Sequence, residues 1–173
     1  MSFTYGFFNS IGDDRIYDAV QFGSMFDGII ADGVFRHIGD KFAVIANGID
    51  STVLLGTGKC WFNRTWGIND SPYSIILPDA PPALPRIDAV VIEVDHNENA
   101  RTTLPKVVPG VANASPQRPA LTKTGGVYQY AVAYILRRPL AVESPAITRQ
   151  ADVTNVVGTV ETPWVSSVVT TYM

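Results

Sequence analysis

Cysteine, charge and leucine are all scarce in this sequence, and each shortage removes a class of protein. The single cysteine among 173 residues, Cys60, excludes an intrachain disulfide framework and a metal site built from cysteines. With Lys59 and Trp61 beside it in an apparent strand, Cys60 reads as a buried small hydrophobe. Charged residues make up 17%, against roughly 25% in ordinary soluble domains, which argues against disorder and against a helical bundle. The formal charge is −3, so the basic stripe that a nucleic-acid binder turns toward phosphates is not expected. No run of 18 apolar residues occurs, and Met1-Ser2-Phe3-Thr4-Tyr5-Gly6 lacks the basic-then-apolar order of a secretory signal. The expectation is a chain made and folded in a cytoplasm, with neither nucleic acid nor membrane insertion in its work.

What is abundant points to strands. Valine and isoleucine total 34 against 8 leucines, and 14 threonines add to the β-branched excess. Such side chains pack well on a pleated surface and lose rotamer freedom in a helix. The length is that of about one domain, which hides roughly 70% of its unfolded surface on folding. Arginines (9) outnumber lysines (4), a bias that suits interfaces. Low charge on a strand-rich chain therefore predicts a surface covered by other subunits.

Along the chain, Asp18 is placed to cap a helix, with Gln21 reaching back and Tyr17 stapling onto Phe22. Ala19, Phe22, Phe26, Ile29 and Ile30 then share one stripe, predicting about three or four turns that stop at Gly33 and lie on a sheet. Short strands follow at 42–46, 52–55, 59–63, 73–77, 87–95, 102–108 and 127–136, with Asn47-Gly48 turning between the first two. Residues 87–95 are apolar on both faces and predict a central strand; 127–136 reads the same way, with a helix as the alternative. Residues 78–85 and 109–119 are proline-rich and extended. The second runs on as polar coil to about Gly126, and a loop of that length reads either as an arm lying on a neighbour or as one tied to its own domain. The fold expected is mainly β, a β-sandwich-like domain over 1–173 with one short amphipathic N-terminal helix. Its parts are an N-terminal segment with the helix (1–40), a strand-rich core (41–138) and C-terminal strands or an extension (139–173).

Chemistry is harder to find. Neither a phosphate-cradling glycine loop nor a Gly-x-Ser-x-Gly elbow occurs. His96 sits near Glu93, Asp95 and Glu98, but neighbouring strand residues point apart, so a solvated hairpin tip explains them. His37 reads as a surface or interface residue. Asp13-Asp14-Arg15 reads as negative charge near a helix N-terminus with a local ion pair, or as a cation site or a cross-subunit pair. Trp61, Trp66 and Tyr73 are candidates for a platform under sugar rings, against the reading that they fill a core or an interface. No catalytic residue, metal or cofactor is expected, and no enzyme activity.

Several segments, in order, resemble one family. Tyr5-Gly6-Phe7-Phe8-Asn9-Ser10, Gly12-Asp13-Asp14-Arg15-Ile16-Tyr17, and Ile30-Ala31-Asp32-Gly33-Val34-Phe35 are similar to the start of baseplate and receptor-binding-complex proteins of tailed phages. Leu84-Pro85-Arg86-Ile87-Asp88-Ala89-Val90-Val91-Ile92-Glu93-Val94-Asp95 resembles their central strand. Ser115-Pro116-Gln117-Arg118-Pro119-Ala120-Leu121-Thr122 with Gly126-Val127-Tyr128 resembles a later segment. The likeness covers most of residues 3–138 and is to the amino-terminal part of siphophage upper baseplate proteins. It implies a β-rich virion protein of the tail tip, attached to other tail and baseplate proteins and to copies of itself, with a homotrimer as the first expectation. Family members commonly close this domain with an Asp-Thr-Arg-like turn, whereas 151–155 here lacks the arginine. A separate host-binding head is not expected before Met173, so the resemblance favours an adaptor over direct receptor capture. Arg15, Tyr17, Phe35, Pro116, Arg118 and Pro119 are the residues expected at interfaces. Host cell-wall glycan, held by Trp61, Trp66 and Tyr73, is the alternative partner.

Overall fold

The computed structural model describes residues 11–12 and 17–156. Arg15, the segment 5–10 and Pro163-Trp164 lie outside the described residues.

The helix α1 (Ala19–Ser24) begins as the sequence predicts and ends much sooner. Asp18 Oδ1 accepts from the Gln21 N–H at 2.8 Å while Gln21 Oε1 accepts from the Asp18 N–H at 3.2 Å, closing a capping box. Past Ser24 the N–H groups of Met25, Phe26 and Asp27 turn to carbonyls three residues back, and Gly28 takes φ +80°. Two glycines among bulky aromatic and β-branched residues leave too little helix propensity for further turns. The expected apolar stripe is not the buried face. Gly23 is, because an added Cβ would stand 2.9 Å from Arg64 Cβ. Phe22, Met25 and Ile29 remain exposed, and Phe26 sets its ring edge-on to Trp61 at 5.3 Å. Gly33 opens a strand instead of stopping a helix.

Among the described residues eleven strands follow: β1 (Gly33–Val34), β2 (Val44–Ala46), β3 (Thr52–Leu55), β4 (Gly58–Phe62), β5 (Thr65–Asn69), β6 (Tyr73–Ile76), β7 (Arg86–Asp95), β8 (Thr102–Val108), β9 (Lys123–Thr124), β10 (Val127–Arg137) and β11 (Val153–Asn155). They make an antiparallel sheet β11-β10-β7-β8, with β9 also on β10, and two three-stranded sheets, β1-β4-β5 and β2-β3-β6. The core lies between them. Val90, Ile92, Val94, Val132 and Ile135 of the large sheet meet Val34, Cys60 and Phe62 of one small sheet and Val44, Val53, Leu55 and Ile75 of the other. This is the mainly-β, sandwich-like architecture that branched side chains favour. No described helix is long and apolar enough to cross a membrane.

β7 is central, as its two apolar faces predict, with β10 on one side and β8 on the other. β10 is a strand throughout, carrying one bulge between Ala131 and Ala133 that leaves both Val132 and Ala133 in the core. Pro105 sits in β8, whose only strand partner among the described residues is β7; such an edge tolerates the missing donor. The β4–β5 hairpin turns on Asn63 and Arg64 alone, both at positive φ (45° and 64°), as a two-residue hairpin turn of the primed kind requires. Arg64 is an unusual occupant there; its guanidinium is held by the Asp27 carboxylate.

A buried charge cluster ties the distant segments together. Asp88, fully buried, accepts from Arg86 Nε at 2.8 Å and from the Gly110 N–H at 3.0 Å through the same Oδ1. Arg137, 3% exposed, donates to Thr148 Oγ1 at 2.6 Å, Ser51 Oγ at 2.9 Å and the Pro78 carbonyl at 3.3 Å. Its Nε lies 3.9 Å from Asp88 Oδ2 and has no hydrogen-bond partner among the described residues. Cys60 is 1% exposed, and burial pushes its thiol up to about 11 against a weaker opposing bond from the Gly67 backbone. The thiol is a packed core group, as its sequence context predicts.

Candidate functional site

The small sheets each turn one face inward and one outward, and the outward faces carry apolar side chains. In β2-β3-β6 the register places Ile45 opposite Leu54 and Thr52 opposite Ile76. Alternation that buries Val44, Val53, Leu55 and Ile75 sends Ile45, Leu54 and Ile76 outward, at 51%, 37% and 79% exposure. None of the three strands contains a charged residue. β6 is also an edge strand, without the proline, lysine or bulge that usually guards an edge. The opposite edge, at β2, is closed. Asn155 Oδ1 takes the Val44 N–H at 2.7 Å, its Nδ2 reaches the Val44 carbonyl at 3.2 Å, and Gln150 Oε1 takes the Ala46 N–H at 2.9 Å.

The outer face of β1-β4-β5 is aromatic. Trp61 and Trp66 are a cross-strand pair, so two of the three residues expected to form a platform do come together. Trp66 is 61% exposed, and Ile68 beside it is equally open. Lys59 lies 5.4 Å from the Phe35 ring and 5.9 Å from that of Trp66. Tyr73 does not join them. It stands on β6 in register with Leu55, bordering a separate cleft of ≈ 170 Å³ with Gly67, Thr103 and Leu104. The single platform expected of Trp61, Trp66 and Tyr73 is therefore corrected to a tryptophan pair. Tyr17 and Phe35 are half-buried.

The proline-rich arm is tied to its own domain, the second of the two readings its sequence allows. At its start the Gly110 N–H is held by Asp88, and the Asn113 N–H by the Pro85 carbonyl at 2.9 Å. At its end Thr122 and Gln129 exchange two bonds, Thr122 N–H to Gln129 Oε1 at 2.9 Å and Gln129 N–H to the Thr122 carbonyl at 2.8 Å. Between them the Arg118 guanidinium stacks 4.3 Å over Tyr134, while Pro116 and Pro119 are half-buried. Gln129 Nε2 also donates to Glu93, which Lys106 reaches from β8. Burial works against the Glu93 carboxylate, but the bonds from Lys106 and Gln129 outweigh it and hold its pKa below the usual value.

His96 sits at the β7–β8 hairpin tip, donating its N–H to the Gly126 carbonyl at 2.8 Å and facing Tyr128 edge-on. Asp95 is occupied by Asn97, as a solvated tip predicts. Among the described residues no three His, Cys, Asp or Glu side chains gather in a metal-holding group. Residues that the sequence reading passed over, Ile45, Leu54, Ile76, Lys123 and Tyr130, prove as prominent as those it named. The signal for the first three was the absence of charge in the apparent strands 42–46, 52–55 and 73–77. Comparison with protein-family models, curated proteins and solved structures finds no match.

Proposed function

We propose that this protein is a non-enzymatic structural component of a bacteriophage tail tip or baseplate. It acts as an adaptor that assembles with copies of itself, first as a trimer, and with other tail proteins in the virion. The observation that carries the assembly role is the charge-free outer face of β2-β3-β6, where Ile45, Leu54 and Ile76 stand in water beside an open strand edge. Exposed branched residues on a regular sheet are what a surface made to be covered requires. The placement in a phage tail rests on the resemblance of residues 3–138 and on nothing else. The carbohydrate-binding alternative is favoured by one feature, the cross-strand Trp61–Trp66 pair, in which Trp66 stands 61% exposed and an open indole face can stack on a sugar ring.

Mass spectrometry of gradient-purified tails from the producing phage tests both readings. The adaptor is expected as a fixed-ratio component of tail-tip fractions that survives salt washing. Absence from intact particles would overturn the proposal. Free chain retained on host-wall polysaccharide, with none in the particle, would favour the alternative.

A further inference from the structure

Arg118 and Lys123 are five residues apart on the arm and line one cleft of ≈ 400 Å³ between the arm and β10. Neither side chain forms an ion pair or hydrogen bond with any described residue, although most arginines near the core are paired. Each instead lies on a tyrosine face: the Arg118 guanidinium 4.3 Å over Tyr134, and the Lys123 ammonium 3.9 Å over Tyr130. Both rings belong to β10, and Tyr130 is itself stacked on Phe62 at 4.4 Å. The two cations thus sit on rigid supports. A side chain already held on a ring has less rotamer freedom to lose when a ligand arrives, and its N–H groups away from the ring stay available.

The cleft holds one carboxylate, Asp32, and that group is already engaged. It accepts the Asn63 N–H at 2.8 Å. Burial first, and the neighbouring Asp32 carboxylate second, raise the pKa of the Tyr130 phenol from its ordinary value. The phenol therefore stays neutral and adds no charge that would repel an anion. Asp32 keeps its negative charge, so the cleft sets the two cations against one carboxylate and is left with an excess of one positive charge between aromatic walls.

We infer that this cleft binds the oxyanion of a small ligand, a phosphate or a carboxylate, between Arg118 and Lys123. A planar guanidinium and a compact ammonium converging on one anion are a common pairing for such groups. The site is independent of the assembly role, because the β2-β3-β6 face contributes no residue to it.

Amide NMR on the full chain tests the site with sodium phosphate and sodium acetate as probes, at constant ionic strength against sodium chloride. Saturating shifts are expected at residues 118–123 and 129–134 with at least one probe. Preference for phosphate assigns a phosphorylated ligand, and equal response to acetate assigns the shared oxyanion chemistry. The R118Q/K123Q double variant is expected to lose the saturable shifts while the rest of its spectrum stays in place, and K123R, which keeps charge and ring contact, is expected to retain them. Shifts that never saturate, that spread equally to Arg36, Lys41 and Arg101, or that survive R118Q/K123Q would overturn the inference.

Discussion

Asp88→Ala is expected to destabilise the fold by about 3–5 kcal/mol, the range found when one partner of a buried ion pair is removed. For a domain of this size that lowers the thermal midpoint by on the order of 10 °C. The carboxylate is fully buried and takes bonds from Arg86 and from the Gly110 N–H while facing Arg137. Alanine leaves Arg137 as a guanidinium at 3% exposure whose Nε already lacks a hydrogen bond. Burial presses the Arg137 pKa down and Asp88 opposes that shift, so deleting the carboxylate removes its nearest opposing charge. Arg86 is more open, at 14% side-chain exposure, and can turn toward water. Asp88→Asn keeps an acceptor oxygen without the charge and is expected to fall between wild type and alanine. Asp27→Asn supplies the contrast, because Asp27 and its partner Arg64 are both largely in water, at 49% and 43% side-chain exposure, and such pairs are worth about 1 kcal/mol or less. Urea unfolding of the three variants checks the order. A loss below about 1 kcal/mol for Asp88→Ala would mean that the cluster is not a structural tie.

Gly110→Ala is the second large effect, with an expected loss of about 3 kcal/mol from overpacking together with a broken buried hydrogen bond. A Cβ at position 110 would fall 2.1 Å from the Ile87 carbonyl oxygen and 3.1 Å from its carbon. Neither atom can yield, because Ile87 is backbone of the central strand and pairs with Leu136. The arm must lift instead, giving up the Gly110 bond to Asp88 and the Asn113 bond to Pro85. Protease cleavage within 111–121 is expected to accelerate, while the β10 end of the arm stays held through Gln129. Asp88→Ala and Gly110→Ala break one bond in common, so the double variant should lose less than the sum of the two. Full additivity, or unchanged cleavage, would show that the arm is not anchored at Gly110.

How far the sequence could be read differs from element to element. β3 and β8 lie where alternation and turn residues predict, and β7 and β10 extend the predicted strands by one residue each. Val90, Ile92 and Val94 face the core, with Ala89 and Val91 buried on the opposite side. β5 was hidden because its turn is Asn-Arg rather than Asn-Gly, so positive φ at Arg64 carried no glycine to announce it. β2 starts two residues later than predicted because Lys41 and Phe42 adopt positive φ, again without glycine. The helix starts where predicted and is cut short by its local glycines, but the face it buries has a tertiary reason. Its contact with the β4–β5 turn is made by Gly23, and no periodicity of apolar residues reveals a contact whose requirement is the lack of a side chain. Among site residues, Trp61 and Trp66 could be paired only once the β4–β5 register was known. Arg118 was singled out by its segment, but its place on Tyr134, beside Lys123 on Tyr130, depends on where the arm crosses β10.

The central claim is that the outer face of β2-β3-β6 is covered by other protein. Sedimentation of the full chain over a wide concentration range tests it directly, alongside Ile76→Lys, which puts a charge at the most exposed apolar position of that face without touching the core. The expected result is a wild-type species at a multiple of the 18.8 kDa chain, three-fold first, and an Ile76→Lys variant that keeps its fold but sediments as a single chain. A wild-type protein that stays at 18.8 kDa at every concentration, or a multimer indifferent to Ile76→Lys, would contradict it.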